Sequence, residues 1–384
     1  MGPTGMYSLR AYGAMIADSV RLGPYAKAIA AAVRPGDTVV EIGCGVGIFA
    51  LLACRAGARR VFAIETDNSI QIARELATAN GLANLIDFFQ SDSRKTELPE
   101  RANVIVSDIR GTLPLFGNAM TTLEDARQRL LAPGGIMIPQ RDTLKAAVIE
   151  AHEYYSELTS PWEKSVDGLD ISSTLSLILN QDHSGSFHEQ QLLTEPHDWG
   201  VLDYMIGTGT RVAAALDFQA TRAGTGHGVC LWFDANLYEA IGYSCKPGTR
   251  TVYGQLFLPW LKPIQVEKED KIHLQLHADL IDQDYVWRWE TTIPATAEHP
   301  ETHFVQSTFQ GKVFSLQDLR RQDVNYVPRL TEAGEADLWM LERMTGAATL
   351  QSISQSALER FPRVFSSWQE AFTRAAELSR TFSR

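Results

Sequence analysis

The sequence predicts an α/β domain built on parallel strands, followed by a β-rich domain and a small helical unit. Short apolar runs alternate with helix-length amphipathic stretches as far as Pro139, the pattern of a parallel sheet covered by helices. Beyond Asp142, β-branched and aromatic residues alternate, and from about residue 310 apolar positions return at helical spacing.

A chain of 384 residues is longer than one core supports, since single cores stop growing near about 250–300 residues. Three units are expected, at 1–140, 141–309 and 310–384. Hydrophobic residues at 45% and charged residues at 21% are ordinary for packed domains. The formal net charge of −11 argues against a nucleic-acid partner, because phosphate binding depends on clustered Lys and Arg. No apolar run is long enough to span a bilayer, and Met1 to Arg10 lacks the layout of a secretory signal, so a cytoplasmic, membrane-free protein is expected. Cys44, Cys54, Cys230 and Cys245 have no metal-ligand spacing, which indicates neither a metal site nor a disulfide framework.

Val39 to Ile42, Arg60 to Ile64, Val104 to Val106 and Ile136 to Ile138 read as buried strands. Ile48 to Ala56, Ser69 to Asn80 and Leu123 to Leu131 read as the helices between them. Tyr253 to Leu258, Ile272 to Leu280 and Tyr285 to Thr292 read as antiparallel strands of a sheet or barrel. Leu338, Leu341 and Met344, then Leu350, Ile353, Leu358 and Phe361, then Phe372, Ala375 and Leu378 mark the last unit as helical.

The segment Glu41-Ile42-Gly43-Cys44-Gly45-Val46-Gly47-Ile48 closes the first strand and opens a helix, where glycines let the backbone turn sharply and approach a ligand. Its glycines stand at relative positions 1, 3 and 5, not the 1, 3 and 6 of the dinucleotide fingerprint, so a pyrophosphate cradle is disfavoured. Glu41 ahead of them suits a cationic ligand. Glu65, with Thr66 beside it, ends the second strand twenty residues after Gly45, where a carboxylate accepts the ribose hydroxyls of an adenosine. Asp92-Ser93 follows the apolar run Ile86 to Phe89 and is placed to receive an adenine edge. Each acid alone is equally well a helix cap. Together they point to an adenosyl ligand held by Glu41, Gly43, Gly45, Ile48, Glu65, Thr66, Asp92 and Ser93.

From about Tyr7 to Phe309 the chain resembles the protein arginine N-methyltransferase family of S-adenosylmethionine enzymes. Met15-Ile16-Ala17-Asp18-Ser19-Val20-Arg21, with Tyr25 and Ala28-Ile29, is similar to the family's cofactor-covering helix. The resemblance implies S-adenosyl-L-methionine as cofactor, a Rossmann-like sheet followed by a β-barrel, Arg21 on the methionine carboxylate and Met15 against the cofactor. Trp162-Glu163 and Gly168-Leu169-Asp170-Ile171-Ser172 resemble the family's dimerisation arm, which implies a homodimer. Thr251 to Gln255 and Val266 to Ile272 resemble its barrel strands.

The acceptor loop departs from the family. Ser107-Asp108-Ile109-Arg110-Gly111 through Gly117-Asn118 has Asp108 at the first of two family glutamates and Gly117 at the second. The family's threonine-histidine-tryptophan loop reads Thr251-Val252-Tyr253. Asp108 is the candidate acceptor carboxylate, as general base or anchor, or else a turn cap. Arg110 either receives an anionic acceptor group or neutralises Asp108. These departures disfavour protein arginine. They point to an N- or O-methyltransferase (EC 2.1.1.-) acting on a peptide side chain or a specialised small molecule, the alternative being a non-catalytic cofactor- or peptide-binding partner of an active methyltransferase. Tyr326 to Leu330, Gly346 and Thr349 to Ile353 resemble PqqD-like winged helices that hold leader peptides, beside the plainer reading of a helical packing extension.

Overall fold

The computed structural model describes residues 7–207, 209–295, 300–321 and 323–383, and divides into two compact units, Met1–Lys312 and Val313–Arg384. The first unit opens with α1 (Leu9–Ala17) and α2 (Ser19–Ala32), then runs β1 (Thr38–Ile42), α3 (Ile48–Ala56), β2 (Arg60–Glu65), α4 (Ile70–Ala79), β3 (Ile86–Gln90), β4 (Ala102–Ser107), α5 (Ala119–Asp125) and β5 (Leu131–Ile138). The strands form a parallel sheet in the order β3-β2-β1-β4-β5. Central β1 is buried along its whole length, which is why it reads as an unbroken apolar run around Glu41. After α5 the chain continues through a π turn at Ala126–Leu130, so the helix predicted over Leu123 to Leu131 begins earlier and ends irregularly.

Register places the site. Ile42 pairs with Ile64 on one side and Ser107 on the other, so the residues that follow, Gly43, Glu65 and Asp108, emerge side by side at the carboxyl edge of the sheet.

The antiparallel part comprises β6 (Arg141–Ile149), α6 (His152–Glu163), α7 (Leu175–Ile178), β7 (His183–Gly185), β8 (His197–Asp203), β9 (Arg211–Gln219), β10 (Gly224–Tyr238), β11 (Ile241–Ser244), β12 (Gln255–Val266), β13 (Lys271–Ile281), β14 (Asp284–Ile293) and β15 (Thr302–Ser307). One sheet has the order β7-β12-β10-β6-β8 with β11 on β10, and the other β15-β14-β13-β9. The fully buried Trp289 donates its indole N–H to the Pro259 carbonyl, linking β14 to β12 across the sheets. Thr251 to Gly254 is a turn entering β12, and 267–270 is the turn between β12 and β13, so each of the two segments matched to barrel strands holds a turn as well as strand ends. The core continues without a break from the parallel sheet into the antiparallel ones, so residue 140 marks a change of sheet inside one core.

The second unit contains α8 (Leu316–Arg321), α9 (Glu332–Leu341), α10 (Leu350–Arg360) and α11 (Trp368–Phe382). Ala336, Met340, Ile353, Ala357, Ala371, Ala375 and Leu378 form its core, whereas Leu338, expected inside, is 48% exposed. No strand occurs among its described residues, so the open edge to which a leader peptide would add is not among them. No described helix is long and apolar enough to cross a membrane.

Candidate active site

Gly43, Gly45 and Gly47 have φ of 70°, 52° and 78°, a left-handed run that side chains disfavour. A β-carbon on Gly43 would lie 2.5 Å from the Ile109 side chain, and one on Gly45 2.6 Å from the Tyr12 ring. Glu65 pins this loop, accepting from the Gly45 amide at 2.9 Å and the Asp67 amide at 3.0 Å. Glu41 is buried beneath it and accepts from the Ala50 amide at 2.6 Å in the first turn of α3. Burial pushes the Glu41 carboxyl up to about 8, against the pull of the Ala50 amide and with a further push from Glu65.

A cavity of about 830 Å³ opens along this edge. Every site residue named from sequence lines it: Met15, Arg21, Glu41, Gly43, Gly45 and Ile48 on the loop side, with Glu65, Thr66, Asp92, Ser93, Asp108 and Arg110 around the rest. Tyr7 and Tyr12 of the N-terminal segment, Phe116 and Tyr253 also line it and were not selected from sequence. Tyr12 closes over Gly45 and donates its hydroxyl to Ser69 at 3.1 Å.

Three of these residues already have partners within the chain, and for Arg110 the partner is the expected neutralisation of Asp108. Asp92 caps the turn after β3, accepting from the Arg94 amide at 3.0 Å and the Arg94 guanidinium at 2.7 and 3.1 Å, so its carboxylate is already engaged. Arg21 turns its Nε to Asp108 and to the Tyr253 hydroxyl at 3.1 Å, and donates Nη1 to the Met15 carbonyl at 3.1 Å. Arg110 is not presented to an acceptor. Its Nη2 lies 2.8 and 2.9 Å from the two oxygens of Asp142, its Nε 3.0 Å from one of them, and its Nη1 donates to Asp108 at 2.9 Å and to the Tyr25 hydroxyl at 2.6 Å.

Asp108 therefore sits between two guanidiniums. The Tyr253 hydroxyl lies 2.6 Å from both of its oxygens and donates to either. Burial alone would raise its carboxyl, but Arg21, Arg110 and the Tyr253 hydroxyl together hold it below the usual aspartate range. Gly117, at the position of the missing second carboxylate, has φ of 46°, a left-handed backbone that disfavours any larger residue. Asp142 escaped sequence reading because its partner lies thirty-two residues away on another element. Tyr253 lies in a segment whose sequence signals are a barrel-strand likeness and the loss of the family's histidine, neither of which points to its hydroxyl.

Comparison with known proteins agrees with this architecture. The model of the ribosomal protein L11 methyltransferase (PrmA) family matches residues 26–156. A probable protein arginine N-methyltransferase 6 of Arabidopsis thaliana is 29% identical over 246 residues, 62% of this chain and 56% of that protein, so the chain spans little more than half of that relative's length. Protein arginine N-methyltransferase 6 of Xenopus laevis is 30% identical over 273 residues, 67% of this chain and 80% of that protein. Among solved structures, a Trypanosoma brucei PRMT1 enzyme-prozyme heterotetrameric complex with AdoHcy superposes with a TM-score of 0.71 at 20% identity, covering 77% of this chain and 96% of that one. Protein arginine methyltransferase 10 of Arabidopsis thaliana gives 0.69 at 22% identity, over 78% and 97%. At those identities the solved structures speak for the fold. With the glycine loop, Glu65 and the covering helices in place, and an 80% span of the Xenopus relative, the chain belongs to the protein arginine N-methyltransferase family of S-adenosylmethionine-dependent enzymes.

Proposed function

We propose that the chain transfers a methyl group from S-adenosylmethionine to a nitrogen or oxygen that carries no full positive charge, on a peptide side chain or a specialised small molecule. The observation that supports this reading is the charge balance at Asp108. Among the described residues, the one carboxylate at the acceptor end is already paired with Arg21 and Arg110, and Arg110 is balanced in turn by Asp142. A buried guanidinium substrate needs anionic partners that this set does not spare.

On the donor side, the side-chain-free faces of Gly43 and Gly45 leave the room that a ligand lying on the loop requires. Glu65 is assigned to the ribose, and Arg21, whose Nη2 has no acceptor among the described residues, to the cofactor carboxylate. The bound cofactor supplies the activated methyl group. The chain's own part is to align the acceptor and exclude water with α1 and Tyr12, with Asp108, held ionised between Arg21 and Arg110, as an anchor and not as the base.

A second reading follows the relatives, which are named for protein arginine. Radiolabelled methyl transfer to histone and glycine-arginine-rich peptides, beside an extract of the native source, separates the two. Label in the extract but not in the peptides is expected; efficient labelling of arginine overturns the neutral-acceptor reading. Cofactor binding with no transfer to either favours a non-catalytic partner.

A further inference from the structure

Stability is a weak reason for the Arg110–Asp142 pair. Two buried charges lose hydration that their attraction seldom returns, and apolar replacements of similar volume are often neutral or stabilising. Asp142 is fully buried on β6, opposite Leu202 and Ala235 of its neighbours, and its Oδ2 also takes the Tyr204 hydroxyl at 2.6 Å. It occupies Nε and Nη2 of Arg110, whose guanidinium also lies 5.3 Å from the centre of the Phe233 ring. The fork cannot rotate without breaking those bonds. Nη1 is left aimed at Asp108 and at the Tyr25 hydroxyl, which is itself fastened to the Ser107 carbonyl at 2.9 Å.

We propose that Asp142 is a positioning residue that acts through Arg110 to hold Asp108 in place between the donor and acceptor ends of the cavity. The antiparallel sheet thereby sets the geometry of a carboxylate carried by the parallel one. The inference rests on the donor site proposed above, because Asp108 shares Arg21 with the cofactor carboxylate assigned there. Released from Arg110, Asp108 keeps the Tyr253 hydroxyl but has Arg21 as its one charged partner among the described residues, and competes with that carboxylate.

A double-mutant cycle on the full chain tests this, with calorimetric affinity for S-adenosylhomocysteine as the readout. Replacing the pair (Arg110→Met with Asp142→Leu) is expected to weaken binding about 3- to 10-fold when Asp108 is present, and less than about 2-fold in an Asp108→Asn background. A merely structural role produces the same loss in both backgrounds, and that result, or no loss in either, overturns the inference. Asp142→Asn, nearly isosteric, runs through the same cycle if circular dichroism shows the paired replacement unfolded. Absence of binding by the unmodified protein overturns the donor site and this inference with it, whereas normal binding with additive losses overturns the inference alone.

Discussion

Arg110 and Asp142 meet as a bidentate pair, two N–H groups on two oxygens at 2.8 and 3.0 Å, with side chains no more than 4% exposed. Removing either partner strands a buried charge. Arg110→Met or Asp142→Leu alone is predicted to cost about 3–5 kcal/mol in urea unfolding, and the two together less than about 1.5 kcal/mol. A double-replacement loss equal to the sum of the two single losses would show that the partners are not coupled and would refute the stranded-charge account.

Glu65 holds the glycine loop through the Gly45 amide, caps its own turn through the Asp67 amide, and is assigned to the ribose. Glu65→Ala is predicted to weaken S-adenosylhomocysteine binding by about 1.5–3 kcal/mol, the size of hydrogen bonds to a charged group. Titration calorimetry reads this directly, and unchanged affinity refutes the assignment.

Glu41 has a folded value of about 8 against an ordinary 4.5. The unfolded chain gives up this proton first, so the contribution to stability is fully present below about pH 4.5 and is lost as pH rises to about 8. Glu41→Gln keeps an acceptor for the Ala50 amide and has no proton to lose. Its melting temperature is predicted to exceed that of the parent by about 2–5 °C at pH 8 and to match it near pH 4.5. A constant offset across that range counts against the buried acid.

The segment between α6 and α7 leaves Val166 52% and Leu169 66% exposed on a turn closed by reciprocal amide bonds between them. This is the stretch that resembles a dimerisation arm, and a homodimer is predicted. Val166→Asp with Leu169→Asp should shift sedimentation from dimer to monomer at micromolar concentration while leaving circular dichroism unchanged. A monomeric parent refutes it.

The parallel strands, the glycine loop and Glu65 were legible in the sequence because each depends on neighbours close along the chain. Buried strands must be apolar runs, left-handed turns require glycine, and an acid at the end of β2 lies beside the loop after β1 in any parallel α/β sheet. The even helical spacing near the C-terminus was equally plain, although α9 buries Ala336 and Met340 and exposes Leu338. What became of each charge was decided by tertiary structure alone. Arg110 had open alternatives until β6 brought Asp142 against it, and Tyr253 stood at the family's tryptophan position until the turn before β12 carried its hydroxyl to Asp108. A buried ion is balanced by whatever the fold brings within about 3 Å, and partners 32 and 145 residues away leave no periodicity or spacing by which a sequence could announce them.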